Sequence, residues 1–250
     1  MLMLYFSGTG NSKYIAELFC RYTNAKCYSI EEEIDFETLI AEEETIGFCY
    51  PVYLSRVPRN MREFAKKYTE TLKGKKLIIF CTQMLLSGDG ARAFAAMFPK
   101  GHAEVVYAEH FFMPNNFSNL IILPPVSERL KRKCVACAER KMQKICRNIE
   151  NGVVKKRGFN IGSRVLGLPQ AVLLPSAERA ARKSVKVRNN CTQCEVCVKI
   201  CPVNNLVCES GKITHKHDCI MCYRCVNKCP EKAITVGFHG KARKQYGGLL

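Results

Sequence analysis

One pattern of twelve residues occurs twice in this chain. CTQCEVCVKICP, residues 191–202, returns 28 residues later as CIMCYRCVNKCP, residues 219–230, and both read C-x-x-C-x-x-C-x-x-x-C-P. Thiolates are soft ligands suited to iron–sulfur clusters, and two-residue spacers let a single loop wrap three corners of a cube while the fourth Cys falls beyond it. Zinc sites usually draw two Cys pairs from separate loops, and neither zinc nor disulfides account for a repeated three-plus-one pattern ending in Pro. The chain has 16 cysteines. Their spacing argues for metal ligation in a reducing compartment rather than for the disulfide scaffold of a small secreted domain.

The 250 residues are 47% hydrophobic, enough for one large domain or two unequal ones with a sizeable core. No apolar run approaches the ~20 residues of a membrane span. The best stretches, 120–126 and 165–174, are broken by Pro124, Pro125 and Pro169. The N-terminal apolar run has no basic flank and stops at Ser7, short of a secretory signal, so a cytoplasmic location is expected. The net charge is +17, and much of the excess lies in Lys131–Lys133, Lys155–Arg157 and Arg179–Arg188, which predicts one basic flank.

Over the first ~110 residues short apolar runs alternate with amphipathic ones. Strands are expected at 1–6, 27–30, 45–50, 76–82 and 104–112, with helices at 12–22, 58–68 and 89–98 and a long closing helix at 127–150. The acidic stretch 35–43 makes a short second crossover. The pattern predicts an α/β fold with a doubly wound, five-stranded parallel sheet, helices covering both faces. The long helix begins at a candidate cap, Ser127, stops at Asn151-Gly152, and should end the first domain. Its Cys134 and Cys137 read as core thiols, as do Cys20, Cys27, Cys49, Cys81 and Cys208. The expected organisation is a first domain over 1–152, a connector over 153–187 broken by Gly and Pro with a short basic helix after Ser176, the cysteine-rich domain over 188–237, and a tail over 238–250.

FSGTGNS, residues 6–12, joins the first strand to the first helix. Gly8 and Gly10 permit positive φ and close approach of backbone N–H groups. Ser7, Thr9 and Ser12 add hydroxyls, and the helix starting near Asn11 points its positive end into the loop, so a single phosphate can be bound without a basic side chain. The spacing fits neither a P-loop nor a GxGxxG dinucleotide loop. Two more loops leave the carboxyl ends of predicted strands, at Pro51-Val52-Tyr53 and at Thr82-Gln83 before a Gly-rich turn, where open α/β sheets bind ligands.

The cysteine runs resemble those of bacterial two-cluster ferredoxins, in which the fourth Cys of each run ligates the other cluster. That pattern implies two [4Fe-4S] clusters in a small α+β ferredoxin-like domain, one held by Cys191, Cys194, Cys197 and Cys229, the other by Cys219, Cys222, Cys225 and Cys201. The N-terminal loops resemble the flavodoxin family, and the whole order is similar to anaerobe iron–sulfur flavoproteins that fuse a flavodoxin-like domain to a two-cluster ferredoxin. By that resemblance Ser7, Thr9, Gly10, Asn11 and Ser12 would hold an FMN phosphate, with Pro51, Val52 and Tyr53 on one side of the isoalloxazine ring and Thr82 and Gln83 on the other. Flavodoxins often cover a flavin face with Trp. This chain has none, so Tyr53 with Met84 or Leu85 must serve.

These features imply an electron-transfer oxidoreductase. A flavin takes two electrons in single steps while each cluster moves one. No second Gly-rich loop suited to NAD(P)H and no acid/base constellation accompany the flavin loops, so an acidic redox protein of ferredoxin or flavodoxin type is the expected partner. Low-potential clusters suggest anaerobic metabolism. Two other readings stand beside this one: an FMN-dependent reductase of a small organic substrate fed by the clusters, and a basic nucleic-acid-binding or sensing Fe–S protein. Aromatics are not interleaved with the basic runs, so nucleic acid is not the expected partner.

Overall fold

The computed structural model describes residues 1–53, 56–84, 88–119, 126–237, 240, 242 and 244–249. The N-terminal half alternates strand and helix: β1 (Leu2–Tyr5), α1 (Asn11–Thr23), β2 (Lys26–Ser29), α2 (Phe36–Ala41), β3 (Thr45–Pro51), α3 (Arg59–Lys67), β4 (Lys76–Gln83), α4 (Gly90–Ala95), β5 (Glu104–Phe112) and α5 (Glu128–Glu150). β3 and β4 read TIGFCYP and KLIIFCTQ, near-continuous apolar runs buried along almost their whole length, as strands covered on both faces must be. α2 forms over only six residues because the Asp35 carboxylate accepts from the backbone N–H of Glu37 and Thr38, satisfying two donors at its exposed start. Ser127 caps α5 in the same way by accepting from Leu130 N–H.

The sheet has six strands in the order β2-β1-β3-β4-β5-β6, all parallel. The sixth, β6 (Lys155–Lys156), pairs with Tyr107 and Ala108 of β5, so the sheet continues past residue 152 into the expected connector. Two-residue strands carry too little alternation to register in a sequence. One face packs Tyr14, Ile15 and Phe19 of α1 with Ala138, Met142 and Ile145 of α5. The other packs Ile40, Met61, Phe64 and Phe94 from α2, α3 and α4. The chain winds to one side from β1 to β2 and to the other from β1 to β3, which places a crevice at the carboxyl ends of β1 and β3.

The connector is mostly one helix, α6 (Ile161–Arg182), with Pro169 and Pro175 inside it. This replaces the expected interrupted pieces and short helix after Ser176. Each proline removes one backbone donor, but Asn160 caps the start by accepting from Ser163 N–H, and side chains pin the body of the helix to the sheet domain.

The cysteine-rich part contains β7 (Lys186–Val187), α7 (Val196–Lys199), β8 (Leu206–Glu209), β9 (Lys212–His215), α8 (Arg224–Lys228) and β10 (Ile234–Thr235). β7 pairs antiparallel with β10 and β8 with β9. Its core is small, Val185, Leu206, Tyr223, Val226, Ile234 and Val236 with three of the cysteines. Of the thiols expected in cores, Cys20, Cys49, Cys81 and Cys134 are buried and Cys27 is half-buried, whereas Cys137 and Cys208 are exposed. Cys137 lies on the solvent side of α5 beside Arg140. Cys208 is on the two-stranded β8–β9 hairpin, paired across it with Ile213.

Candidate functional site

The three loops named from sequence converge on a cleft at the carboxyl ends of β1, β3 and β4, lined by Ser7, Thr9, Asn11, Ser12, Pro51, Val52, Tyr53, Thr82 and Gln83. Gly10 sits at the start of α1 with φ of 100°, and no side chain caps that helix end, so its first N–H groups face the loop. Ser7 Oγ accepts from Gly10 N–H at 3.0 Å, bracing the loop's curve. Ser12 and Thr82 share a buried hydroxyl hydrogen bond of 2.7 Å, tying the first loop to the third. Two buried polar atoms on the cavity, Tyr53 Oη and Gln83 Oε1, have no hydrogen-bond partner among the described residues, and burial holds the Tyr53 phenol well above its ordinary pKa. A neutral phenol and an amide oxygen left unpaired beside a cleft above an uncapped helix start match the needs of a flavin mononucleotide, with one phosphate at one end and a polar-edged ring at the other. Met84 also lines the cavity; Leu85 lies outside the described residues.

Sequence reasoning missed a fourth loop, directly after β5. Met113, Pro114, Asn116 and Phe117 complete the cavity wall. Pro114 carbonyl accepts from Asn11 Nδ2 at 2.9 Å, fixing the side chain at the helix start. The signal was present in PNNFSN, residues 114–119, a polar turn at the carboxyl end of a strand.

The eight cysteines of the repeat divide into two groups. Cys201, Cys219, Cys222 and Cys225 line one small cavity. Cys191, Cys194, Cys197 and Cys229 line another. In each the fourth thiol comes from the other run. Among the described residues no three His, Cys, Asp or Glu side chains converge about a single point. Burial pushes the thiols up, Cys197 and Cys219 to about 11 and Cys222 to about 12, so loading the sites must displace protons.

The second cysteine loop touches the first domain at its phosphate-type loop. A Cβ on Gly8 would lie 2.4 Å from the Cys222 carbonyl oxygen, so Gly8 is required by the close approach of another backbone. Arg224, two residues beyond Cys222, donates to Ser7 O at 2.8 Å and Gly8 O at 3.2 Å, to Ile200 O at 3.0 Å, and to both carboxylate oxygens of Glu31. Asn116 Nδ2 donates to Cys222 O at 3.3 Å, Asn227 Nδ2 donates to Asn116 O at 2.9 Å, and Phe117 meets Tyr223 edge-on with centroids 4.8 Å apart. The tail adds a strap: Gln245 Nε2 bonds the carbonyls of Val226 and Cys229, and Tyr246 Oη donates to Asn11 Oδ1 at 2.5 Å.

The strand order, the crevice and the uncapped helix start define an α/β protein of flavodoxin type with cysteine loops packed on its ligand side. Residues 2–118 match the family model of the flavodoxin domain, and residues 213–235 match that of the 4Fe-4S binding domain. The chain is therefore a flavodoxin domain joined to a ferredoxin-like 4Fe-4S domain, an electron-transfer protein that combines the two kinds of centre. Among solved structures it is similar to the Trp repressor binding protein from Bacillus subtilis, at 12% identity over 56% of this chain and 96% of that one with a TM-score of 0.42. It is also similar to the two-electron reduced flavodoxin of Megasphaera elsdenii, at 21% over 57% and 99% with a TM-score of 0.39, and to a flavodoxin from the domain Archaea, at 17% over 58% and 96% with a TM-score of 0.38. No curated protein matches the chain by sequence.

Proposed function

We propose that the chain relays electrons between an FMN at the loop cavity and an external redox protein through two [4Fe-4S] clusters, in the order partner, first cluster, second cluster, FMN. The observation that carries this reading is the contact of Cys222 with Gly8: one cysteine group adjoins the flavin cavity, while the other includes Cys194, which is exposed. When bound, the flavin would supply a two-electron store and the clusters single-electron steps.

The chain's own residues have definite parts in this. Ser7, Thr9, Gly10, Asn11 and Ser12 would receive the phosphate, and Pro51, Val52, Tyr53, Thr82 and Gln83 the ring. Met113, Pro114, Asn116 and Phe117 would close the remaining side. Cys191, Cys194, Cys197 and Cys229 would ligate the first cluster, and Cys201, Cys219, Cys222 and Cys225 the second. The flavin unit spans 1–152 with β6 added at its edge, 153–187 connects, 188–237 is the cluster unit, and the tail returns to the flavin loop. The external partner is an acidic carrier, attracted by a chain of formal charge +17.

Cys194→Ser tests the order. It should damage the first cluster and leave FMN bound. With a reduced protein donor in anaerobic stopped flow, flavin reduction should slow at least about tenfold, while dithionite should reduce the flavin as before. Flavin reduction by the donor at the parent rate in that variant would mean the two domains act separately.

A further inference from the structure

Exposed apolar side chains concentrate on one element. Ile161, Val165, Leu168, Val172 and Leu173 of α6 are 80%, 64%, 65%, 71% and 61% exposed. The first four follow one another at steps of four, three and four, which places them on one face of a helix. The opposite face is pinned to the sheet domain. Gly167 sits so close to the Asp89 carboxylate that a Cβ there would be 2.0 Å from Oδ1, its carbonyl accepts from Arg56 at 3.4 Å, and Glu178 takes two bonds of 2.9 Å from Arg62. The helix therefore cannot roll to hide the stripe, and a patch of this kind on a folded protein marks a surface it meets.

The charge beside the stripe has one sign. From residue 151 to 177 there is no Asp or Glu, while Lys155, Lys156, Arg157 and Arg164 are all exposed. Two buried carboxylates lie near the helix: Asp89 is ion-paired with Arg56 and Arg92, and Glu109 is shared among Lys155 at 2.7 Å, Lys141 at 3.1 Å and Arg157 at 3.2 Å, so positive charge remains in surplus at the start of α6.

We propose that α6 is an interfacial helix that seats this protein on an anionic lipid bilayer, its outward aliphatic face sinking to the acyl boundary and the Lys155 to Arg164 cations meeting the headgroups. The chemistry of the face favours lipid over protein. The five side chains are aliphatic, without the Tyr, Trp, Met or Arg anchors that mark protein interfaces. A second copy is disfavoured because pairing the face would bring two sets of these cations together on chains that each carry +17. Among the described residues no helix is long and apolar enough to cross a membrane, so the helix lies on the surface, where apolar burial and attraction to anionic lipid act together.

The test is co-sedimentation of the full, cofactor-loaded protein with vesicles of phosphatidylcholine alone or mixed with phosphatidylglycerol, at physiological salt. The protein should pellet with the anionic vesicles and remain in the supernatant with the neutral ones. V165E/V172E, which changes only exposed positions, should lower the partition at least about tenfold, with circular dichroism and flavin absorbance unchanged. R157E/R164E should lower it while leaving the apolar face intact. No pelleting with anionic vesicles, or pelleting that V165E/V172E leaves unchanged, would overturn the proposal. So would a dimer in light scattering that V165E/V172E splits, which would assign the face to a second copy.

Discussion

The two cysteine loops share a backbone and differ in almost everything around it. Gln193 and Glu195 of the first adopt left-handed φ of 58° and 57°, and Met221 and Tyr223 of the second adopt 56° and 60° at the same offset. Asn204 and Lys232 repeat the match at 49° and 51°. Asn205 N–H donates to Cys201 Sγ at 3.2 Å, and Ala233 N–H to Cys229 Sγ at 3.3 Å. The surroundings diverge. Where the second loop has Tyr223-Arg224, the first has Glu195-Val196. Glu195 and Glu231 line the first cavity, whereas Arg224 lines the second. Cys194 is exposed, and its counterpart Cys222 is buried against Gly8.

In the proposed relay, one motif thus takes two positions in a path. Ligand spacing sets what each loop can hold, and the residues between the ligands set which loop joins the flavin domain. The difference also has an electrostatic side. Reducing a cluster adds negative charge, which neighbouring carboxylates oppose and a guanidinium favours. With clusters bound, Glu195 and Glu231 would hold the outer site toward lower potential, and Arg224 would work against the lowering that burial imposes on the inner one.

The largest test of this asymmetry is Gly8→Ala. The new methyl meets the Cys222 backbone, which cannot yield as a flexible side chain would, so the loops must separate. Stability should fall by about 3 kcal/mol, and electron transfer from clusters to flavin should fail even with both clusters counted by iron and sulfide analysis. Unchanged melting and transfer would show that the domain contact is dispensable.

Next in size is a matched pair, Arg224→Gln and Val196→Gln. The first leaves the carbonyls of Ser7, Gly8 and Ile200 short of donors, at a cost of about 2 kcal/mol, and should lower the inner cluster's midpoint in an EPR-monitored titration. The second should cost less than about 1 kcal/mol and move neither midpoint. Equal effects from the pair would erase the distinction between the loops.

A smaller effect is kinetic. A chelator under mild oxidation should remove about half of the iron first, from the site that includes exposed Cys194, with flavin retained; simultaneous loss of both clusters would argue against separate exposure. The smallest effect is expected at the cysteines outside both groups. Cys208→Ala and Cys137→Ala change exposed thiols, so iron content should hold and stability should shift by less than about 0.5 kcal/mol.

Much of this molecule is local and was therefore legible. Buried parallel strands have to be apolar runs, a phosphate-type loop needs its glycines and hydroxyls together, and cluster ligands from one loop need fixed spacers. The fold class, FSGTGNS, the loops at Pro51 and Thr82 and the two cysteine runs could all be read from adjacent residues. Non-local contacts were hidden. Asn116 and Tyr246 matter because of partners 106 and 235 positions away. Gly8 looked like a conformational requirement and proved to be a steric one, set by a carbonyl more than two hundred residues further on. Nor could α6 be read through its two prolines, because its hold on the sheet domain comes from Arg56, Arg62 and Asp89 in other elements. The sequence by itself determined which centres the chain can hold, since ligand chemistry is written in spacing. Which cluster site faces the flavin cavity and which faces solvent was decided only by the tertiary structure, because that choice rests on packing between residues the sequence keeps far apart.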